Sequence, residues 1–302
     1  MKTVLLTGAT GFVGSHIVDA LADRPDVALH CLSRKPPLPS RENLIWHEGD
    51  IMNRHDRDRI LQSVSPSHLM HLAWDTTPGK FWNSTANLSW LSCSLDLFKM
   101  FQESGGRRFI GVGTCAEYDW THAHLNEFTT PYAPHTLYGT AKKALRETLE
   151  KAAALADVSF AWGHLFYLYG PREQRSRLVS EAIVSSLAGV DFNASSGTQL
   201  RDFMYVKDAA AALVALMDSD VAGSVNIASG EVIAVKDLLL RIEALTNRPG
   251  CMKLGVRPMN VDEPSKMVAD ITRLTEEVGF NSSYTLDSGL AESIAWWKKR
   301  LN

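Results

Sequence analysis

Tyr138-Gly139-Thr140-Ala141-Lys142 places a phenol and an amine four residues apart. On a helix that spacing puts both on one face. An ammonium beside a phenol favours phenolate and draws the phenol pKa towards the working range. Such a tyrosine can give or take the proton of a carbonyl–alcohol pair while a hydride moves. Thr114, in Gly111-Val112-Gly113-Thr114-Cys115-Ala116-Glu117-Tyr118, adds a hydroxyl able to bind the oxygen of that pair. A Tyr-x-x-x-Lys match arises easily by chance in a chain with seven tyrosines, so position has to carry it. An apolar run at 108–112 leads directly into Thr114, and Tyr138 opens the next helical pattern. That order predicts a hydroxyl at a strand's carboxyl end beside the tyrosine helix.

Hydride chemistry needs a dinucleotide, and the first turn of the chain suits one. Thr7-Gly8-Ala9-Thr10-Gly11-Phe12-Val13-Gly14 follows an apolar run at once and opens a helical pattern. Glycines let the backbone turn tightly and approach a pyrophosphate held at the helix N-terminus. The spacing is GxxGxxG where the dinucleotide fingerprint has GxGxxG, so the strand-turn-helix context carries the reading. After the second apolar run, an NAD site usually has an acid for the ribose 2′-hydroxyl. Here stand Ser33, Arg34 and Lys35. An arginine can clamp a 2′-phosphate bidentately, so NADP is expected in preference to NAD. Gly49-Asp50-Ile51 offers a carboxylate for an adenine amino group, and the small Ala73 in His71-Leu72-Ala73-Trp74 admits close backbone approach. His71 reads as a packed histidine.

These residues need strands and helices in alternation, and the pattern supplies them. Apolar runs at 4–6, 28–32, 44–46, 68–72, 108–112 and 159–163 are separated by helical patterns at 12–22, 54–64, 83–103 and 137–156. Right-handed crossovers then give a doubly wound parallel sheet covered on both faces. After Gly170-Pro171 helices and loops dominate, although 206–218 and 224–227 read as a helix and strand returning to the first unit. The expected division is 1–164 with 204–228 for the dinucleotide, and 165–203 with 229–302, smaller and mainly helical, for substrate.

The chain has 302 residues, 45% hydrophobic and 22% charged, with 31 basic against 34 acidic side chains. A net charge of −3 excludes a strongly basic nucleic-acid binder, and the hydrophobic content excludes a mainly disordered chain. Cys31, Cys93, Cys115 and Cys251 are scattered, matching neither a disulfide framework nor a zinc site. His122 and His124 read as loop histidines, and no metal is expected. The N-terminal apolar run is too short for a signal peptide and 209–217 too short for a membrane span, so a soluble cytoplasmic protein is expected.

Taken together the motifs resemble the extended short-chain dehydrogenase/reductase family, the NAD(P)-dependent epimerases and dehydratases of nucleotide sugars. The resemblance runs from the glycine loop through Gly49-Asp50, His71-Leu72-Ala73, Thr114 and the Tyr138–Lys142 pair. It continues in Leu168-Tyr169-Gly170-Pro171 and Arg201-Asp202-Phe203-Met204-Tyr205-Val206-Lys207-Asp208. It implies Thr114, Tyr138 and Lys142 as catalytic residues, with Lys142 also on the nicotinamide ribose. Cofactor contacts are implied for Gly8, Thr10, Gly11, Phe12, Val13 and Gly14, then for Ser33, Arg34, Asp50, Ile51, Leu72, Ala73 and Phe166. Arg201 and Arg257 fall where the family grips the diphosphate of its nucleotide-diphosphate sugar. Leu88, Leu91, Leu95 and Phe98 form a helical stripe that is core or, as in many members, part of a homodimer interface.

Departures narrow the reaction. The 4,6-dehydratases carry Asp-Glu straight after the threonine to eliminate water, whereas this chain has Cys115-Ala116, with Glu117 one place late. His164 and Tyr167 replace the Arg and Asn that many members have before Tyr-Gly-Pro, and Val261-Asp262-Glu263-Pro264 replaces a glycine-aspartate near Arg257. The pattern is most similar to the 4-keto reductases of deoxysugar nucleotides, the CDP-abequose and CDP-paratose synthase type. The expected activity is NADPH-dependent reduction of the 4-keto group of a nucleotide-activated 6-deoxyhexose. The alternatives are a 4-epimerase holding NAD tightly and a non-catalytic dinucleotide sensor, which would typically lack the tyrosine-lysine pair.

Overall fold

The computed structural model describes residues 1–37, 42–259 and 263–301. The apolar runs assemble into one seven-stranded parallel sheet. Its strands are β1 (Lys2–Thr7), β2 (Val27–Ser33), β3 (Leu44–Glu48), β4 (His68–His71), β5 (Arg108–Thr114), β6 (Ser159–Leu165) and β7 (Gly223–Ile227). In space they run β3-β2-β1-β4-β5-β6-β7. The chain moves outward from β1 to β3, then crosses back to start β4 on the other side of β1. Sheets of this kind bind ligands outside the carboxyl ends of the strands at that reversal.

The helices are α1 (Phe12–Leu21), α2 (Arg54–Val64), α3 (Ala86–Glu103), α4 (Leu137–Leu155), α5 (Leu178–Leu187), α6 (Val206–Asp218), α7 (Val235–Thr246) and α8 (Leu286–Leu301). On one face of the sheet α1 and α6 bury Ile17, Leu21, Leu213 and Leu216. On the other, α3 and α4 bury Leu97, Phe101, Leu145 and Leu149. Each such side chain contributes roughly 1.5–3 kcal/mol on burial. These layers therefore hold α4 rigidly beside the end of β5. From the stripe on α3, Phe98 is buried, Leu91 and Leu95 are half-buried, and Leu88 is exposed.

The helix expected over 83–103 begins later. Phe81–Asn83 forms a separate 3-10 turn, and the Asn87 amide donates to the carbonyls of Phe81 (2.7 Å) and Ser84 (2.9 Å), folding the chain back before α3. Beyond Gly170, α5, α7 and α8 pack around Ile183, Leu238, Leu239 and Trp297. Short strands that the hydrophobic pattern does not announce join them. Leu200–Arg201 lies between Ile233–Ala234 and Lys266–Ala269, which pairs in turn with His124–Leu125. Two-residue and three-residue strands are too short to show a period.

Candidate active site

Gly8 ends β1 with φ +73°, and a Cβ there would lie 2.8 Å from the Ala73 nitrogen. A Cβ on Gly14 would lie 2.1 Å from the Gly8 oxygen. The turn is thus compacted against both the next strand and its own helix. Gly11 caps α1 and its N–H donates to Gly8 O at 2.9 Å. No acidic residue occupies the first turn of α1, so nothing cancels the positive helix end that begins at Phe12 and Val13. Thr10 is exposed beside it. A compact glycine turn at an uncompensated helix N-terminus fits a dinucleotide pyrophosphate.

The expected rim residues flank this turn. Arg34 is exposed at the end of β2, while Ser33 is buried and its Oγ accepts from Lys35 N–H at 3.2 Å. Asp50 follows β3, its Oδ1 accepting from Met52 N–H at 3.0 Å. Ile51 is buried, its carbonyl accepting from Arg57 at 2.6 Å. Leu72 and Ala73 donate backbone N–H groups to the Thr7 carbonyl and hydroxyl, both at 3.3 Å. His71 lies between Thr7 Oγ1 and Ser94 Oγ, each at 2.8 Å, and burial pushes its ring down to about 3. It is a neutral packing histidine.

Thr114, Tyr138 and Lys142 come together where β5 meets the first turns of α4. A Cβ on Gly139 would fall 2.3 Å from the Ala116 carbonyl, so only glycine lets α4 settle this closely on the 115–117 turn. Tyr138 is 7% exposed and Lys142 3%. Burial, and next the Glu117 carboxylate, hold Tyr138 above the ordinary phenol range, while a hydrogen bond from Thr114 opposes them. The lysine does not do what its spacing suggests. Its ammonium donates to Val112 O at 2.7 Å and lies 4.0 Å from the Trp74 ring centroid, and burial brings its own pKa down to about 7. These surroundings favour the protonated form of Tyr138.

Aromatic rings surround that phenol. Phe81 and Trp82 lie 4.9 Å and 5.8 Å from the Tyr138 ring, and Trp74 lies 6.3 Å away with its indole N–H on Asn87 Oδ1 at 2.8 Å. Sequence reasoning leaves these rings without a role, because aromatic residues also fill ordinary cores. It also misses Glu117, although Thr114-x-x-Glu117 is a capping-box pattern legible in the chain. Glu117 is fully buried, its carboxylate bonded to Thr114, Trp162 and Arg146.

Arg201 is 1% exposed, its guanidinium donating to Glu263 Oε1 at 2.7 Å and to Leu200 O at 2.8 Å. Arg257 is exposed, on a segment whose backbone N–H donates to Ala194 O at 3.0 Å. Val261 and Asp262 lie outside the described residues. Phe166 is buried with Cys115, Met267 and Ala269. Among the described residues no cluster of His, Cys, Asp and Glu could hold a metal, and no helix is long and apolar enough to cross a membrane.

The model of the NAD dependent epimerase/dehydratase family matches residues 4–228. UDP-glucuronic acid decarboxylase 1 of Xenopus tropicalis is 26% identical over 319 residues, covering 99% of this chain and 73% of that protein. The structure of MoeE5 in complex with UDP-glucose and NAD is 27% identical, with a TM-score of 0.85 over 99% of this chain and 100% of that one. UDP-glucose 4-epimerase of Thermotoga maritima, solved with UDP-glucose, has a TM-score of 0.86 over 99% of this chain and 100% of that one. At 22% identity it is a likeness of fold.

Proposed function

Since the chain belongs to the NAD dependent epimerase/dehydratase family, a family of nucleotide-sugar enzymes, we propose that it reduces the 4-keto group of a nucleotide-activated 6-deoxyhexose with NADPH. The dinucleotide would be held by 1–164 and 204–228, and the nucleotide sugar by 165–203 and 229–302, with Arg201 and Arg257 on its diphosphate. The cofactor, when bound, supplies the hydride. Tyr138 gives its proton to the carbonyl oxygen, and Thr114 hydrogen-bonds that oxygen as charge develops on it. Lys142 holds the cofactor ribose, and solvent returns the proton to Tyr138.

One observation supports reduction over elimination. Beside Thr114 the chain has a buried thiol, Cys115, which burial pushes up to about 12, and Ala116, which carries no titratable group. Glu117 is committed to partners inside the protein. Water elimination would have no acid and base there, whereas ketone reduction needs neither. Arg34 supports NADPH by its chemistry. The second reading is a 4-epimerase retaining NAD, favoured by the NAD held with UDP-glucose in MoeE5 and by the fold shared with the 4-epimerase of Thermotoga maritima.

The test is turnover of 4-keto nucleotide sugars with added NADPH. Tyr138→Phe should lower kcat by about 10²–10⁴-fold while NADPH still binds, since the phenol proton is the general acid. Full activity in that variant overturns the mechanism. Sugar interconversion without added NADPH, in protein that purifies with NAD, establishes the epimerase instead.

A further inference from the structure

Glu117 is a fully buried carboxylate beside the site, and the reduction makes no use of it. Its exposure is 0%. Oε1 accepts from the Thr114 backbone N–H at 3.0 Å and from Trp162 Nε1 at 3.1 Å. Oε2 accepts from Arg146 Nε at 3.3 Å. Thr114 Oγ1 accepts in turn from the Ala116 N–H at 3.2 Å, which closes a reciprocal capping box. The residue bearing the site's hydroxyl is therefore held at its backbone and its side chain at once. The fit is tight: a Cβ on Gly113 would lie 2.3 Å from Glu117 Oε1 and 2.0 Å from Trp162 Nε1.

A glutamine could accept the bonds from Thr114 and Trp162 equally well. Only a carboxylate brings charge, and burying a charge costs several kcal/mol before its partners repay it. The groups around it account for that charge. From α4, Arg146 lies over the Tyr132 ring at 3.9 Å and reaches towards Glu147 and Glu150 at the surface. From β6, His164 Nδ1 stands 3.4 Å from Oε1, and its Nε2 lies 3.3 Å from the Tyr132 hydroxyl. Tyr118 stacks on Tyr132 and donates to Asn226, whose N–H is taken by Glu127. Burial opposes ionisation of Glu117, but His164, Arg146 and Trp162 together hold its carboxyl below the ordinary range. On the remaining side, the Lys142 ammonium lies 5.8 Å from the centroid of the Trp162 ring whose N–H is on Glu117, and Tyr138 packs on Ala116, so both feel its field.

We propose that Glu117 is the positioning residue of this site: it locks the peptide that presents Thr114, and it sets a fixed negative charge behind Tyr138 and Lys142. A negative charge there disfavours phenolate and favours ammonium. Ketone reduction consumes the phenol proton, whereas alcohol oxidation, the opening step of an epimerase, needs phenolate as base. The buried carboxylate thus biases the site towards the reductive direction. This inference rests on the reductase reading for its catalytic consequence and on the packing of Tyr138 and Lys142 around the 115–117 turn and Trp162 for its electrostatic one.

Glu117→Gln in the full chain separates the two roles, because glutamine keeps the acceptor for Thr114 and Trp162 and removes the charge. The alkaline limb of kcat should move to lower pH by about one unit. KM for the nucleotide sugar should stay within about threefold, since the residue touches no substrate. Glu117→Ala, which also frees the Thr114 peptide, should lose a further factor of about 10 or more in kcat. A measurement without substrate stands beside these: the Cε resonance of Lys142 in carbon-labelled lysine, assigned by its loss in Lys142→Met. It should titrate at lower pH in Glu117→Gln than in the unmodified chain. If Glu117→Gln is unstable, Glu117→Gln with His164→Gln removes the facing pair together and is read in the same way. Coincident lysine titrations and coincident kcat profiles overturn the proposal. A wild-type chain that turns over no 4-keto nucleotide sugar overturns the reductase reading, and the lysine titration then still decides the role of Glu117.

Discussion

Replacing Lys142 by methionine should leave the protein inactive and more stable. The ammonium is 3% exposed and has one hydrogen bond, to Val112 O, with the Trp74 face beside it. Among the described residues no carboxylate forms an ion pair with it. Its pKa falls from 10.5 to about 7, with burial as the first cause and Glu117 pulling back. A group with a depressed folded-state pKa makes stability rise with pH between the two values, because the unfolded chain then holds the extra proton. At about 1.36 kcal/mol per unit, the folded protein carries a penalty of roughly 5 kcal/mol below pH 7, absent above about pH 10.5. Methionine removes that penalty along with a hydrogen bond of about 1 kcal/mol and a cation–π contact of about 1–2 kcal/mol. The net expectation is a gain of roughly 2–3 kcal/mol near pH 6, vanishing or reversing near pH 10. Urea unfolding of both chains at the two pH values measures it. A variant less stable than wild type near pH 6, or a difference unchanged by pH, refutes the reasoning.

Two further substitutions test the cofactor half. Gly14→Ala puts a Cβ where only 2.1 Å separates it from the Gly8 oxygen, backbone against backbone, so the start of α1 must move. Dinucleotide affinity should fall at least about tenfold and stability by about 1–3 kcal/mol or more, read by fluorescence titration and chemical denaturation. Arg34→Ala should weaken NADPH by roughly 30- to 100-fold, the worth of a charge-assisted contact of about 2–3 kcal/mol, and leave NADH nearly unchanged. Equal losses for both cofactors would remove Arg34 from the 2′-phosphate site.

The cofactor half is legible in the sequence because its chemistry constrains backbone shape. Gly8 needs a positive φ and Gly14, in the first turn of α1, a missing Cβ, so the turn and the helix start both require glycine. Tyr138 and Lys142 are legible as neighbours on one helix face, but spacing says nothing about where a flexible ammonium points. Val112 O and the Trp74 ring lie far away in sequence and take it. The same limit hides Glu263 on Arg201, a contact 62 residues apart in the chain. The short strands at 200–201 and 233–234 have no period to read, because the sheet there is held by neighbours and not by pattern.

The site contains two kinds of buried charge, and the difference bears on what it does. Glu117 has partners on both oxygens, Thr114 and Trp162 on one and the Arg146 guanidinium on the other. Breaking such a set costs about 3–5 kcal/mol, because it strands a partner. It behaves as a fixed part of the scaffold. Lys142 has no such compensation and sits close to its neutral point. A fold selected for stability alone would replace it with an apolar side chain in the layer formed by Leu145 and Leu149. Glu117 cannot move without disturbing Thr114, whereas Lys142 gains by any ligand that offers oxygen acceptors to its ammonium. The responsive charge lies on α4, which also carries Tyr138 and Arg146, and the scaffold charge lies on the 115–117 turn against which α4 packs. A ligand that draws on Lys142 therefore acts on a group whose proton Glu117 already favours, so binding and acidity are coupled where the 115–117 turn meets the start of α4.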